Sequence, residues 1–117
     1  MSKLARLIAQ MEGFGKPGAI PTTHHNPGDL RHSPHSDHPG GPAHKDDVGT
    51  IPNDALGWQD LERQLRIYAS QGLTLRQMIN LYAPPTDHNN TSRYLEFVCA
   101  GLQMAPETLV SDALTIV

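Results

Sequence analysis

Residues 73–85 read Leu-Thr-Leu-Arg-Gln-Met-Ile-Asn-Leu-Tyr-Ala-Pro-Pro, and they carry both a start and a stop signal for a helix. Thr74 followed three residues later by Gln77 is a capping box, in which each side chain satisfies the other residue's backbone N–H. Leu73 before the cap and Met78 at the fourth helical position are placed as a hydrophobic staple. Pro84 and Pro85 cannot continue a helix, and Ala83, preceding proline, is pushed out of helical geometry. The spacing predicts a helix over 74–82.

The neighbouring segments repeat the pattern. Before this helix, residues 53–71 place Trp58, Leu61, Leu65 and Tyr68 on one stripe, with Leu56 and Ile67 beside it. Glu62 and Arg66 are spaced to pair along that helix, and Gly72 ends it. At the start of the chain, Leu4, Leu7, Ile8 and Met11 follow the i, i+3, i+4, i+7 rule, with Ser2 as cap and Gly13 as stop. Beyond the prolines, a helix opening at Thr91 or Ser92 carries Tyr94, Leu95, Val98, Cys99 and Leu102 on one face. A last helix, with Pro106 and Glu107 in its first turn, carries Leu109, Val110, Ala113 and Leu114. The fold class is therefore mainly α, with four to five helices in a single domain over 1–117.

Residues 13–52 show no period. Lys16-Pro17-Gly18, Ile20-Pro21, Asn26-Pro27-Gly28 and His38-Pro39-Gly40-Gly41-Pro42 are turn signals with a backbone cause. A loop this long inside a compact domain is commonly functional. Short strands are placed at 29–32 and 48–51.

Composition narrows the class. A chain of 117 residues with 38% hydrophobic and 5% aromatic content builds one small aliphatic core. The net charge of −3 gives no broad attraction to nucleic acid or to an anionic membrane. The single cysteine, Cys99, excludes an internal disulfide and sits among apolar residues as a core filler. No apolar run approaches the roughly 20 residues of a membrane span. The first ten residues lack a continuous apolar core and a cleavage site, so the product is expected in the cytoplasm as made. Action in the periplasm or cell wall would then require separate delivery.

Four places can carry chemistry. Glu12 falls at the edge of the first helix's apolar stripe and in its last turn. Half-burial and the negative helix end both raise a carboxyl pKa there, as a general acid requires; an ordinary surface glutamate is the competing reading. Asn26-Pro27-Gly28-Asp29-Leu30-Arg31 forms a tight turn that can bring backbone amides to a ligand, or can be a turn and nothing more. His32, His35 and His38, with Asp37 beside them, have the spacing of a metal-ligand set. However, Pro34 and Pro39 break any common helical face, and a polar loop with incidental zinc affinity is the plainer alternative. The link 83–91, with Tyr82 before it and Asn89 and Asn90 within it, joins an aromatic face to amide groups, a combination that suits sugars. Its alternative is a capped connection with a core tyrosine.

The segments in order are Ile8-Ala9-Gln10-Met11-Glu12-Gly13-Phe14, Asn26-Pro27-Gly28-Asp29-Leu30-Arg31, Gly57-Trp58-Gln59-Asp60-Leu61, Leu73 to Ile79, and Tyr82-Ala83-Pro84-Pro85 with Asn89-Asn90-Thr91 and Tyr94. From about Leu4 to Leu114 the chain resembles small phage and prophage-type proteins of the lysozyme-like superfamily, which includes goose-type lysozymes, lytic transglycosylases and members labelled phage structural proteins. The resemblance implies a lysozyme-like α-domain with its cleft over the end of the first helix, and Glu12 at the catalytic glutamate position. It also implies that Asn26, Gly28 and Asp29 line the cleft and that Tyr82, Asn89 and Tyr94 form the far wall. Peptidoglycan or another glycan would be the partner, with no cofactor, no nucleic acid and no membrane, and with a virion or a secretion system as the delivery partner. The link after Pro85 is one residue longer than in relatives, and the loop 32–47 has no counterpart. A second carboxylate would come from Asp29, Asp37, Asp46 or Asp47. Three readings follow: a glycan-strand cleaving enzyme, a non-catalytic structural or wall-binding module of the same fold, and a metal-binding protein using the histidine loop.

Overall fold

The computed structural model describes residues 1–38, 48–87 and 89–117. Among them are six α-helices: α1 (Lys3–Glu12), α2 (Ile20–Thr23), α3 (Asp54–Ser70), α4 (Leu75–Tyr82), α5 (Thr91–Leu102) and α6 (Val110–Ala113). A 3-10 turn, Pro85–Asp87, lies between α4 and α5. The mainly α class read from the sequence is what the chain adopts. No described helix is long and apolar enough to cross a membrane.

Local chemistry sets the helix ends. Ser2 Oγ accepts the Ala5 N–H at the start of α1, and Gly13 closes that helix in the left-handed region at φ 91°. Asn53 caps α3 through Leu56 N–H, and Asn90 caps α5 through Arg93 N–H. The Thr74–Gln77 capping box is complete, with both reciprocal hydrogen bonds present.

The remaining first-turn N–H groups of α4 explain a departure at the C-terminal end. Leu75 N–H donates to Thr108 O at 2.8 Å and Arg76 N–H to Pro106 O at 2.9 Å, while Val110 N–H returns to Leu73 O at 2.9 Å. Helix starts leave such donors without partners, and here the segment 106–110 supplies the acceptors. Its carbonyls are thereby unavailable for a helix of their own. The helix expected from Pro106 is reduced to the four residues of α6.

The core gathers one face from each long helix. Leu4 and Ile8 of α1, Leu61 and Leu65 of α3, Leu75, Met78 and Ile79 of α4, and Val98 of α5 are fully buried. α5 lies against both α1 and α4, and α3 packs on α1 and α6. Cys99 is a buried free thiol in this cluster, as its neighbours imply. Trp58 is only partly buried, packing its ring edge-on to Phe14 at 5.3 Å. The Glu62–Arg66 pair does not form; Glu62 instead accepts from Ser2 N–H and Ser2 Oγ, tying α3 to the start of α1.

The described part of the long loop does not become a sheet. The segments 29–32 and 48–51 do lie side by side, but one backbone hydrogen bond joins them, Gly49 N–H to Leu30 O at 3.0 Å. The Asn26 side chain supplies the other links: its Nδ2 donates to Leu30 O and Gly49 O, both at 2.8 Å, and its Oδ1 accepts Leu30 N–H at 2.9 Å. A ladder is replaced by one amide, so no strand forms.

The turn also seats on α3 through a glycine. A Cβ at Gly57 would stand 2.2 Å from the His25 carbonyl oxygen and 2.7 Å from Pro27. Gly57→Ala is therefore expected to lower stability by about 1–3 kcal/mol, the usual range for overpacking, with Ala55→Gly as an exposed helical comparison. Urea unfolding of both variants checks this; a Gly57→Ala midpoint equal to wild type would mean that the turn does not sit tightly on α3.

Candidate active site

Glu12 is the last residue of α1, and its neighbours hold that helix end from several sides. Gly13 turns the chain, and Phe14 N–H returns to Ala9 O at 3.0 Å. Phe14 then packs on Trp58 of α3. From α5, Tyr94 donates its hydroxyl to Glu12 Oε2 at 2.8 Å. Glu12 is left half-buried, with one carboxylate oxygen engaged by the tyrosine.

The turn 26–30 brings a second carboxyl to the same place. Asp29 N–H donates to Asn26 O at 2.9 Å, and Asp29 adopts a left-handed conformation, φ 53°, uncommon outside glycine and tolerated best by Asp and Asn. Asp29 Oδ1 is buried without a hydrogen-bond donor among the described residues, and the Asp29 carboxyl faces that of Glu12. Gly28 makes this approach possible: a Cβ there would lie 2.7 Å from the Tyr82 hydroxyl and 2.8 Å from Leu61. That hydroxyl donates to Gly28 O, so α4 clamps the turn whose next residue is Asp29.

The electrostatics follow from burial and from the proximity of like charges. Burial pushes Glu12 up to about 7; the Tyr94 hydrogen bond opposes this, and the charge and hydrogen bond of Asp29 add to it. Burial also raises Asp29, against which act a hydrogen bond from Glu12 and the charges of Arg31 and His24. The hydrogen bond between the two carboxyls raises Glu12 and lowers Asp29, so of the pair Glu12 is the one favoured to hold the proton. Burial raises both Tyr82 and Tyr94 well above the usual phenol range, so each remains an O–H donor.

These groups open onto a cleft of about 500 Å³, whose lining includes Glu12, Gly28, Asp29, Tyr82 and Asn89. Two expected wall residues have other roles. Asn26 is 0% exposed; its amide is consumed within the loop and cannot reach a ligand. Tyr94 is 4% exposed, and it orients the acid from behind instead of offering a ring face. Asn89 is exposed at the rim, with Nδ2 donating to Pro84 O at 3.1 Å.

Of the four carboxylates considered as a second acid, Asp29 meets Glu12. Asp37 is exposed and accepts Thr50 N–H at 2.8 Å in the loop, while Asp46 and Asp47 lie outside the described residues. Gln64 and Tyr68 of α3, together with Leu81, also line the cleft. Tyr68 thus serves both the apolar stripe and the cleft, and the sequence signal for its second role is Gln64, a polar residue one turn before it.

The histidine set does not assemble. His32 lies in the cleft lining, His35 bonds Asp60 at 2.6 Å, and His38 stands 3.8 Å from its neighbour Asp37. Among the described residues no three His, Cys, Asp or Glu side chains converge to hold a metal. His44 lies outside them. No family model, curated protein or solved structure matches the chain.

Two substitutions test the proton assignment with opposite signs. Tyr94→Phe removes a donor that favours the ionised form, so the Glu12 pKa should rise above about 7. Asp29→Asn removes a negative neighbour and should lower it. Carboxyl ¹³C titration reads both, and shifts of the same sign would refute the arrangement. The raised pKa also has a stability consequence. A carboxyl whose folded pKa lies above its unfolded value contributes stability below the unfolded value, and that contribution is lost as pH climbs from 4.5 through about 7. Glu12→Gln should therefore unfold like wild type near pH 4 and be more stable near pH 8, by up to about 3 kcal/mol.

Proposed function

We propose that this protein cleaves the β-1,4-linked glycan strands of peptidoglycan, with Glu12 as the general acid. The observation that carries the reading is a half-buried carboxyl bonded by Tyr94 and facing Asp29 at the edge of a cleft, its pKa pushed by burial up to about 7. The resemblance of Glu12, the 26–31 turn and the Tyr82–Tyr94 region to lysozyme-like phage proteins supports the same reading.

The chemistry is derived from the acid pair. Glu12 gives its proton to the glycosidic oxygen as the bond from that oxygen to the anomeric carbon breaks, and the leaving sugar departs as an alcohol. The positive charge that develops on the ring is then quenched by an oxygen nucleophile. Inverting hydrolysis places two carboxyls about 6.5–9.5 Å apart and retaining hydrolysis about 5–5.5 Å apart. Asp29, within hydrogen-bonding reach of Glu12, is closer than either arrangement. Its part in this reading is to hold the proton on Glu12, not to activate water across the sugar. The remaining base is Glu12 itself: once ionised, it takes the proton from a hydroxyl of the same sugar as that oxygen closes on the anomeric carbon. The product is an anhydro sugar, and Glu12 is returned to its protonated form.

Purified peptidoglycan digested by wild type and by Glu12→Gln, with products read by mass, tests this. Anhydro-muropeptides are expected from wild type, with turnover about 10²–10⁴-fold lower in the variant, the usual contribution of a general acid. Because Glu12 must begin protonated, kcat/KM should fall as pH rises through about 7. Reducing-end products would overturn the single-acid route. Absence of turnover by both proteins would make the fold a binding or structural scaffold.

A further inference from the structure

α3 borders a second hollow, on a side different from the one that Gln64 and Tyr68 present to the cleft. It encloses about 580 Å³ and is lined by residues that include His35, Trp58, Asp60, Glu62, Arg63 and Arg66. Asp60 is 1% exposed, and an interior carboxylate is costly unless donors surround it. Both of its oxygens are engaged by one residue: Oδ2 accepts His35 N–H at 3.0 Å and Oδ1 meets His35 Nδ1 at 2.6 Å. A carboxylate only accepts, so Nδ1 carries the proton and Nε2 is the ring atom left over. The His35 side chain is 42% exposed, with its imidazole orientation fixed from beneath.

The other acid in the hollow is occupied as well, since Glu62 accepts from Ser2 N–H at 2.6 Å and Ser2 Oγ at 2.8 Å. The cations are not. Arg63 and Arg66 are exposed and form no ion pair with any described residue. Three residues apart, they are neighbours on the helix surface. Trp58 adds a partly buried indole, backed edge-on by Phe14. One guanidinium fork suffices for a planar carboxylate, whereas two neighbouring forks can share the larger set of oxygens on a tetrahedral phosphate. A flat apolar wall beside them suits a ring carried by that anion.

We propose that this hollow is a binding site for an organic phosphate. Arg63 and Arg66 hold the phosphate oxygens, and the attached ring lies against Trp58. The site is independent of glycan cleavage, because Glu12 and Asp29 open onto the other cleft.

Trp58 is the single tryptophan of the chain, so its indole N–H is an unambiguous reporter. The whole protein is titrated with phenyl phosphate, following the indole N–H and arginine Nε–H resonances. A saturable shift of both is expected, with glycerol 1-phosphate (no ring) and phenol (no charge) at least tenfold weaker. Arg63→Ala/Arg66→Ala should lose at least tenfold in affinity at unchanged melting temperature, and Arg63→Lys/Arg66→Lys, which keeps charge but not the fork, should also weaken binding. Glu12→Gln should bind as wild type does, which separates this site from the glycan reading. Absence of a saturable indole shift, or undiminished affinity in the double alanine variant, overturns the site. Benzoate binding as tightly as phenyl phosphate overturns its assignment to phosphate.

Discussion

The amide of Asn26 does the work that a β-ladder does in other folds. Buried completely, it uses both Nδ2 hydrogens and its Oδ1 on backbone atoms of Leu30 and Gly49. An unpaired polar group at that depth would cost on the order of 1–3 kcal/mol each, so the loop either closes around this side chain or does not close. Once closed, the turn has a defined position, and Asp29 is carried into its left-handed conformation against Glu12. Ile51 N–H to His24 O at 2.9 Å then returns the chain toward α3. The candidate acid pair therefore depends on one side chain that never touches the cleft.

The same region collects unfavourable features that a merely structural loop would avoid. Two carboxyls face each other in a half-buried setting, one on a residue with positive φ. Their cost is offset by the three-point anchoring of Asn26, by the Tyr82 hydroxyl on Gly28 O and by the tyrosine donor on Glu12. Conformational strain and like-charge proximity persist where surrounding structure over-determines them, and such places concentrate at functional sites. This physical pattern is what supports the acid–base reading proposed for the cleft.

α3 acts as the shared frame. One side contributes Leu61 and Leu65 to the core, another sends Gln64 and Tyr68 to the cleft, and a third carries Arg63 and Arg66 into the second hollow. Asp60 fastens the loop to this helix through His35, only a few residues after Arg31 and His32 have lined the cleft. The loop is thus pinned at two depths, by Asn26 within itself and by Asp60 on the helix.

The helices were legible because their signals are local. Caps, stops and 3.6-residue stripes act within four residues, so α1, α3, α4 and α5 stand where the sequence places them, down to the Thr74–Gln77 box. Glu12 too was legible, since its place in the last turn of α1 follows from the wheel. What lay beyond the sequence were pairings across long separations. Nothing near Pro106 reveals that its carbonyl will cap α4, which shortens the last helix. Nothing near residue 29 reveals which of four aspartates will meet Glu12, or that Asn26 will turn inward and Tyr94 will hold the acid instead of stacking on a ligand. Nothing in the spacing of His32, His35 and His38 shows that Asp60, 25 residues away, will take the middle one. The sequence by itself determined where the chain is helical and where it turns, because backbone hydrogen bonds and rotamer limits act between near neighbours. Only the tertiary structure decided which carboxyl faces Glu12, because burial and charge proximity arise when distant segments meet.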